Sequence, residues 1–154
     1  MKKDIFIDNN AALHFTNPPS DAYKALIEWL KEHNRNENDA YLVVSPKILQ
    51  EYTASLGGSM KMNNMLFIVD ILTRQDRLQP FSNKEIKAFQ DTHFTNKVVK
   101  KLQCNYKDKL HIPIILMSDR KIALIEDLKF LNDIINFPGF NAHATTSPET
   151  LNYK

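Results

Sequence analysis

Apolar residues along the chain come in two patterns. Ile5-Phe6-Ile7, Tyr41-Leu42-Val43-Val44 and Ile122-Ala123-Leu124-Ile125 are short continuous runs, the mark of strands covered on both faces. Between them, apolar positions recur every three or four residues. After Pro18-Pro19-Ser20, the residues Ala22, Ala25, Leu26, Trp29 and Leu30 predict an amphipathic helix to about His33. The polar segment Asn34–Asp39 predicts a loop. Ser45-Pro46 then combines an N-cap with a proline suited to the first helical position, and Ile48, Leu49, Tyr52 and Leu56 share one face of the helix that follows.

Gly57-Gly58 ends or interrupts that helix, and residues 60–75 predict another, with Met65, Leu66, Val69 and Leu72 facing a core. Asn83–Gln103 reads as helical with a break near Thr92. The stretch IPIILM within Asp108–Lys121 fits either a strand or a helix carrying Pro113 in its first turn. Residues 128–136 are helical by pattern, Pro138-Gly139 marks a turn, and Ala142–Thr146 reads as a weak last strand. Strands alternating with helices predict an α/β fold around a mostly parallel sheet of four or five strands.

Bulk properties narrow the function classes. The 154 residues fit one domain, 1–154, with one sizeable core. A net charge of +2 means that any basic surface must be local. Cys104 is the single cysteine, so an intrachain disulfide and a cysteine metal cage are excluded. With 3 glycines there is no Gly-rich phosphate loop. The N-terminal MKKDIFID holds three consecutive apolar residues, too few for a signal-peptide core. No run approaches the roughly 18 apolar residues of a membrane span. The expectation is a soluble, cytoplasmic protein that does not enter a membrane.

Acidic residues stand where these elements end. Asp8 closes the first run and Asp127 follows the run ALIE, which puts both at the carboxyl ends of parallel strands, where ligands gather. Glu51 lies one and a half turns into the helix after the second strand. Asp108 opens the stretch DKLHIPII, where a helix N-terminus favours a carboxylate. Each has a structural alternative: Asp8, Asp108 and Asp127 as helix caps or starts, and Glu51 as a solvated helix carboxylate. Taken together, converging carboxylates repel unless a divalent cation joins them. Oxygen ligands without cysteine or a histidine cluster point to Mg²⁺ or Mn²⁺ rather than Zn²⁺, and such sites serve phosphodiester hydrolysis.

On these residues the chain resembles the PIN-domain ribonucleases, a fold used by toxins of bacterial toxin–antitoxin pairs. FIDNN resembles the family's first strand ending in D-x-N, here Asp8 and Asn10. LVVSPKILQEY resembles its second strand and the helix with the acid, here Glu51. NYKDKLHIPIILMSDRKIALIEDLKFL resembles its third block, with Asp108 and Asp127 separated by 19 residues, and HATTSPETL its last strand and helix start. The resemblance implies a three-layer α/β/α fold and an endoribonuclease in which Asp8, Glu51, Asp108 and Asp127 hold Mg²⁺ or Mn²⁺ against an RNA substrate. It also implies a protein antitoxin as partner and a homodimer.

The chain departs from the family at Ile125, where the pattern T-x-D places a hydroxyl two residues before the last acid. That departure favours a second reading, a catalytically inactive PIN-like module that binds RNA or protein. In an alternative register Ser118-Asp119 forms the motif and IPIILM the strand. Asn10, His111 and Glu126 are candidates for contact with substrate or with the acids, and a half-buried histidine is the competing reading of His111. Lys97, Lys100, Lys101, Lys107, Lys109, Arg120 and Lys121 form the densest basic region. Of these, Lys101, Lys107 and Lys109 are the candidate RNA contacts, against the alternative of a solvated helix face.

Overall fold

The computed structural model describes residues 1–56 and 64–154. Gly57-Gly58, the side chain of Leu56 and the first residues of the predicted 60–75 helix lie outside the described residues. Strand β1 (Lys3–Ile7) is followed by a short helix α1 (Asn9–Ala12), a 3₁₀ turn (Leu13–Phe15) and helix α2 (Asp21–Lys31). Then come β2 (Ala40–Val44), α3 (Pro46–Leu56), α4 (Met65–Arg74) and β3 (Leu78–Pro80). Helices α5 (Asn83–His93), α6 (Asn96–Lys101), α7 (Tyr106–Lys109) and α8 (Ile112–Met117) lead to β4 (Ile122–Leu124). Helix α9 (Leu128–Ile135), β5 (His143–Thr145) and a second 3₁₀ turn (Pro148–Thr150) complete the order.

The strands form one sheet in the order β3-β2-β1-β4-β5, with every pairing parallel. Ile5, Phe6 and Ile7 are all fully buried. Successive strand side chains point to opposite faces, so β1 is covered on both, as its continuous apolar run predicts. Register pairs Phe6 with Ala123 and Ile7 with Leu124. The Asp8 amide extends this ladder by donating to the Leu124 carbonyl at 3.0 Å.

Local chemistry sets most helix starts. Ser20, Asn64, Ser82, Thr95 and Asn105 each accept a capping hydrogen bond at the head of α2, α4, α5, α6 and α7. Ser45 Oγ accepts from the Ile48 amide at 3.2 Å, the cap expected before Pro46. The Asn64 cap stands at the head of α4, which begins at Met65. The break in the 83–103 helix falls at Phe94-Thr95, because Thr95 caps a new helix.

One open alternative is decided and one strand is added. IPIILM is helix α8, with Pro113 in its first turn and not a strand; the register that made Ser118-Asp119 the motif is therefore overturned. Asp119 lies at the opposite end of the sheet, accepting from the Lys2 amide at 2.8 Å. The pattern of the chain also gives no sign of β3. Leu78-Gln79-Pro80 is short, polar in the middle and closed by proline, features that only an edge position tolerates.

Candidate metal centre

Four chain segments meet at the carboxyl ends of β1, β2 and β4. Asp8 is the N-cap residue of α1, yet its carboxylate makes no capping hydrogen bond and is almost fully buried. Asp108 sits in the first turn of α7, and there Asn105 is the cap, accepting from the Asp108 amide at 2.9 Å. Both carboxylates are thus released from the capping role that was their structural alternative. One oxygen from each, together with a ring nitrogen of His111, lies within 4.8 Å of the others.

Burial is the main reason that the Asp8 carboxyl is pushed up to about 6; the Asp108 charge and, less strongly, Glu51 add to it, against the opposing His111. Burial also raises Asp108, with Asp127 and Glu51 adding to the effect and His111 again opposing. Charge repulsion therefore links all four acids. Among the described residues none of the four is paired with lysine or arginine.

Glu51 reaches the cluster through His111, whose Nε2 meets Glu51 Oε2 at 2.6 Å. His111 is fully buried, in correction of the half-buried histidine, and its ring packs near Phe6 and Phe130 at centroid distances of 5.5 and 6.3 Å. Helix α3, which carries Glu51, is pinned to the end of β1. The Tyr52 hydroxyl donates to the Ile7 carbonyl, and Asn9 Nδ2 donates to Ser55 Oγ at 2.7 Å. Asp127 stands further out. Its Oδ1 caps α9 by accepting from the Lys129 and Phe130 amides at 2.9 and 3.1 Å. Glu126, beside it, pairs with His14 at 2.5 Å.

Sequence reasoning missed three supports. In the sequence Tyr52 reads as a residue of an apolar helix face, and Asn9 carries no assigned role. Buried Asp133 on α9 accepts from the amides of Gln103 and Cys104 and so ties the approach to α7 against α9. The one available signal was an acid on the apolar face of a helix. Asn10 faces solvent on α1. Lys101 and Lys107 are exposed and Lys109 is half-buried. Arg120 and Lys121 leave the basic region: Arg120 reaches the Asp4 carbonyl at the start of β1, and Lys121 Nζ donates to the Ser118 carbonyl at 3.1 Å. Ile125 is fully buried, its amide donating to Thr145 at 2.9 Å.

No family model and no curated protein matches the chain by sequence. By shape it is similar to a chain of VapBC2 from Rickettsia felis, solved bound to a DNA fragment from their promoter. The superposition covers 92% of this chain and 98% of that chain at 15% sequence identity, with a TM-score of 0.58. The chain has a PIN-like fold. At this identity the likeness is one of fold. Within the PIN-like fold, a buried acidic cluster occupies the rim where parallel sheets collect ligands. No helix among the described residues is long and apolar enough to cross a membrane.

Proposed function

We propose that the protein is a divalent-metal-dependent endoribonuclease, with Asp8, Glu51, Asp108 and Asp127 forming its acidic centre. One observation carries the reading: Asp8 and Asp108 are buried within 4.8 Å of each other and, among the described residues, without a lysine or arginine partner. Two buried carboxylates at that separation repel strongly, and a cation of two charges is the simplest compensation. The residues fit such an ion, since His111 Nδ1 is a buried polar atom with no hydrogen-bond partner and a ring nitrogen of His111 lies within 4.8 Å of the Asp8 and Asp108 oxygens. Mg²⁺ or Mn²⁺, when bound, supplies Lewis acidity and lowers the pKa of water for attack on a phosphodiester.

The chain's own residues would divide the work. Asp8 and Asp108 hold the ion, Glu51 and Asp127 extend the negative field, and exposed Lys101 and Lys107 with Lys109 draw the RNA backbone toward them. Asn10, exposed on α1, and Glu126, paired with His14, are the candidates for contact with a bound strand. The likeness to VapBC2 supports a further reading, a toxin whose protein antitoxin covers this rim.

Incubation of a synthetic RNA with Mn²⁺, with and without chelator, tests the enzyme. Chelator-sensitive cleavage that is lost in Asp8→Asn is the expected result. The second reading, an inactive PIN-like binding module, is favoured by Ile125, whose buried aliphatic side chain stands where the family pattern has a hydroxyl. RNA retention without cleavage under any divalent ion decides for the module.

A further inference from the structure

His111 is the one member of the centre with no place in a purely carboxylate site. It is fully buried, and its two ring nitrogens are treated differently. Nε2 is within hydrogen-bond distance of Glu51 Oε2 at 2.6 Å, whereas Nδ1 has no hydrogen-bond partner. With a proton on both nitrogens, Nδ1–H would be a buried donor without an acceptor. In the neutral tautomer that donates Nε2–H to Glu51, Nδ1 carries a lone pair instead. A histidine that donates one ring N–H to a carboxylate while its other nitrogen stays free is the usual arrangement of a metal-binding imidazole. Packing near Phe6 and Phe130 holds the ring in place. A ring nitrogen already lies within 4.8 Å of the Asp8 and Asp108 oxygens.

We propose that His111 Nδ1 is a direct ligand of the cation beside Asp8 and Asp108, and that Glu51 acts through His111 as a positioning residue. The site is then a mixed nitrogen–oxygen site rather than an all-carboxylate one. An imidazole ligand shifts preference away from Mg²⁺ toward first-row transition ions. This inference rests on the reading of the acids as a divalent-cation site.

Pulsed electron paramagnetic resonance of the chelator-stripped full chain with Mn²⁺ tests it without reference to activity. The bound ion is expected to show modulation from one directly coordinated ¹⁴N, replaced by the ¹⁵N pattern when the protein carries ¹⁵N-histidine. His111→Gln is expected to lose the modulation and to bind Mn²⁺ about tenfold more weakly, with Mg²⁺ becoming a better competitor. Glu51→Gln keeps the nitrogen signal while affinity falls by about tenfold at most, no more than in His111→Gln. Bound Mn²⁺ without a nitrogen signal in the wild type overturns His111 as ligand and leaves the acidic centre standing. Failure of the wild type to bind Mn²⁺ at all overturns both readings. A nitrogen signal that survives in His111→Gln places the ion on another histidine and also overturns the proposal. Because the label enters all 5 histidines, His111→Asn serves as a second variant should His111→Gln fail to fold, with the same loss of modulation expected.

Discussion

At the scale of single residues, Asp8 carries opposing demands. Its carboxyl is pushed from 3.8 up to about 6, first of all by burial and then by the Asp108 charge. A group whose folded pKa is raised stabilises the fold fully below the unfolded value, and that contribution is lost as pH rises through the folded value. Without divalent ions the protein should therefore melt at a lower temperature at pH 7.5 than at pH 5. The Asp8 share of the loss over that interval is of order 1 kcal/mol, because part of the effect is already present at pH 5. Burial also raises Asp4 and Asp108, so the measurement is the difference between wild type and Asp8→Asn. The variant is expected to flatten the slope and to be the more stable protein at pH 7.5; an unchanged slope would show that Asp8 is not strained in the apo state. Asp127 separates charge from capping. Asp127→Asn keeps an oxygen for the Lys129 and Phe130 amides, while Asp127→Ala also removes the cap at a cost of about 1 kcal/mol. Both should weaken Mn²⁺ binding in calorimetry, and the alanine variant alone should lower the melting temperature.

At the scale of elements, the centre depends on how α3 is tied to the end of β1 and how the segment before α7 is tied to α9. Tyr52→Phe removes the hydroxyl that donates to the Ile7 carbonyl and leaves that carbonyl buried and unpaired. The expected cost in urea unfolding is about 1–2 kcal/mol. Asp133 does the same for α7, since its carboxylate holds the Gln103 and Cys104 amides. Asp133→Ala is expected to cost about 2–3 kcal/mol, because hydrogen bonds to a charged group are the stronger kind. It should also weaken Mn²⁺ binding, although Asp133 is not an element of the centre. Stability lost with unchanged Mn²⁺ affinity would mean that α7 keeps its place without this tie. The heads of α2, α3 and α5 were legible in Ser20, Ser45-Pro46 and the Ser82–Glu85 capping box, because a cap is a contact over three residues. Strand β3 was not legible. Its pairing with β2 is a contact between distant segments, and three residues with a central glutamine carry no period of their own.

At the scale of the whole molecule, a cation that binds only the folded state must stabilise it. At one hundred times its dissociation constant the gain is about 2.7 kcal/mol, which for a chain of this size raises the melting temperature by roughly 5–10 °C. Excess Mn²⁺ should produce that shift, chelator should reverse it, and Asp8→Asn should abolish it; no shift in the wild type at saturating Mn²⁺ argues against the metal centre. The sequence by itself determined the parallel α/β framework and the meeting of Asp8, Asp108 and Glu51 near one rim. Continuous apolar runs demand a sheet covered on both faces, and parallel connections bring the strand ends, with the acids that follow them, to one side. Tertiary structure alone decided which atoms meet there. His111 and Glu51 are sixty positions apart, Asp133 and Cys104 twenty-nine, and no local pattern encodes a contact across such a separation. It also decided that Asn9 rather than Asn10 holds α3, and that Arg120 and Lys121 turn to the far end of the sheet. Those choices follow from the packing of side chains brought together by folding, where burial, rather than position in the chain, sets the charge and the partner of each polar group.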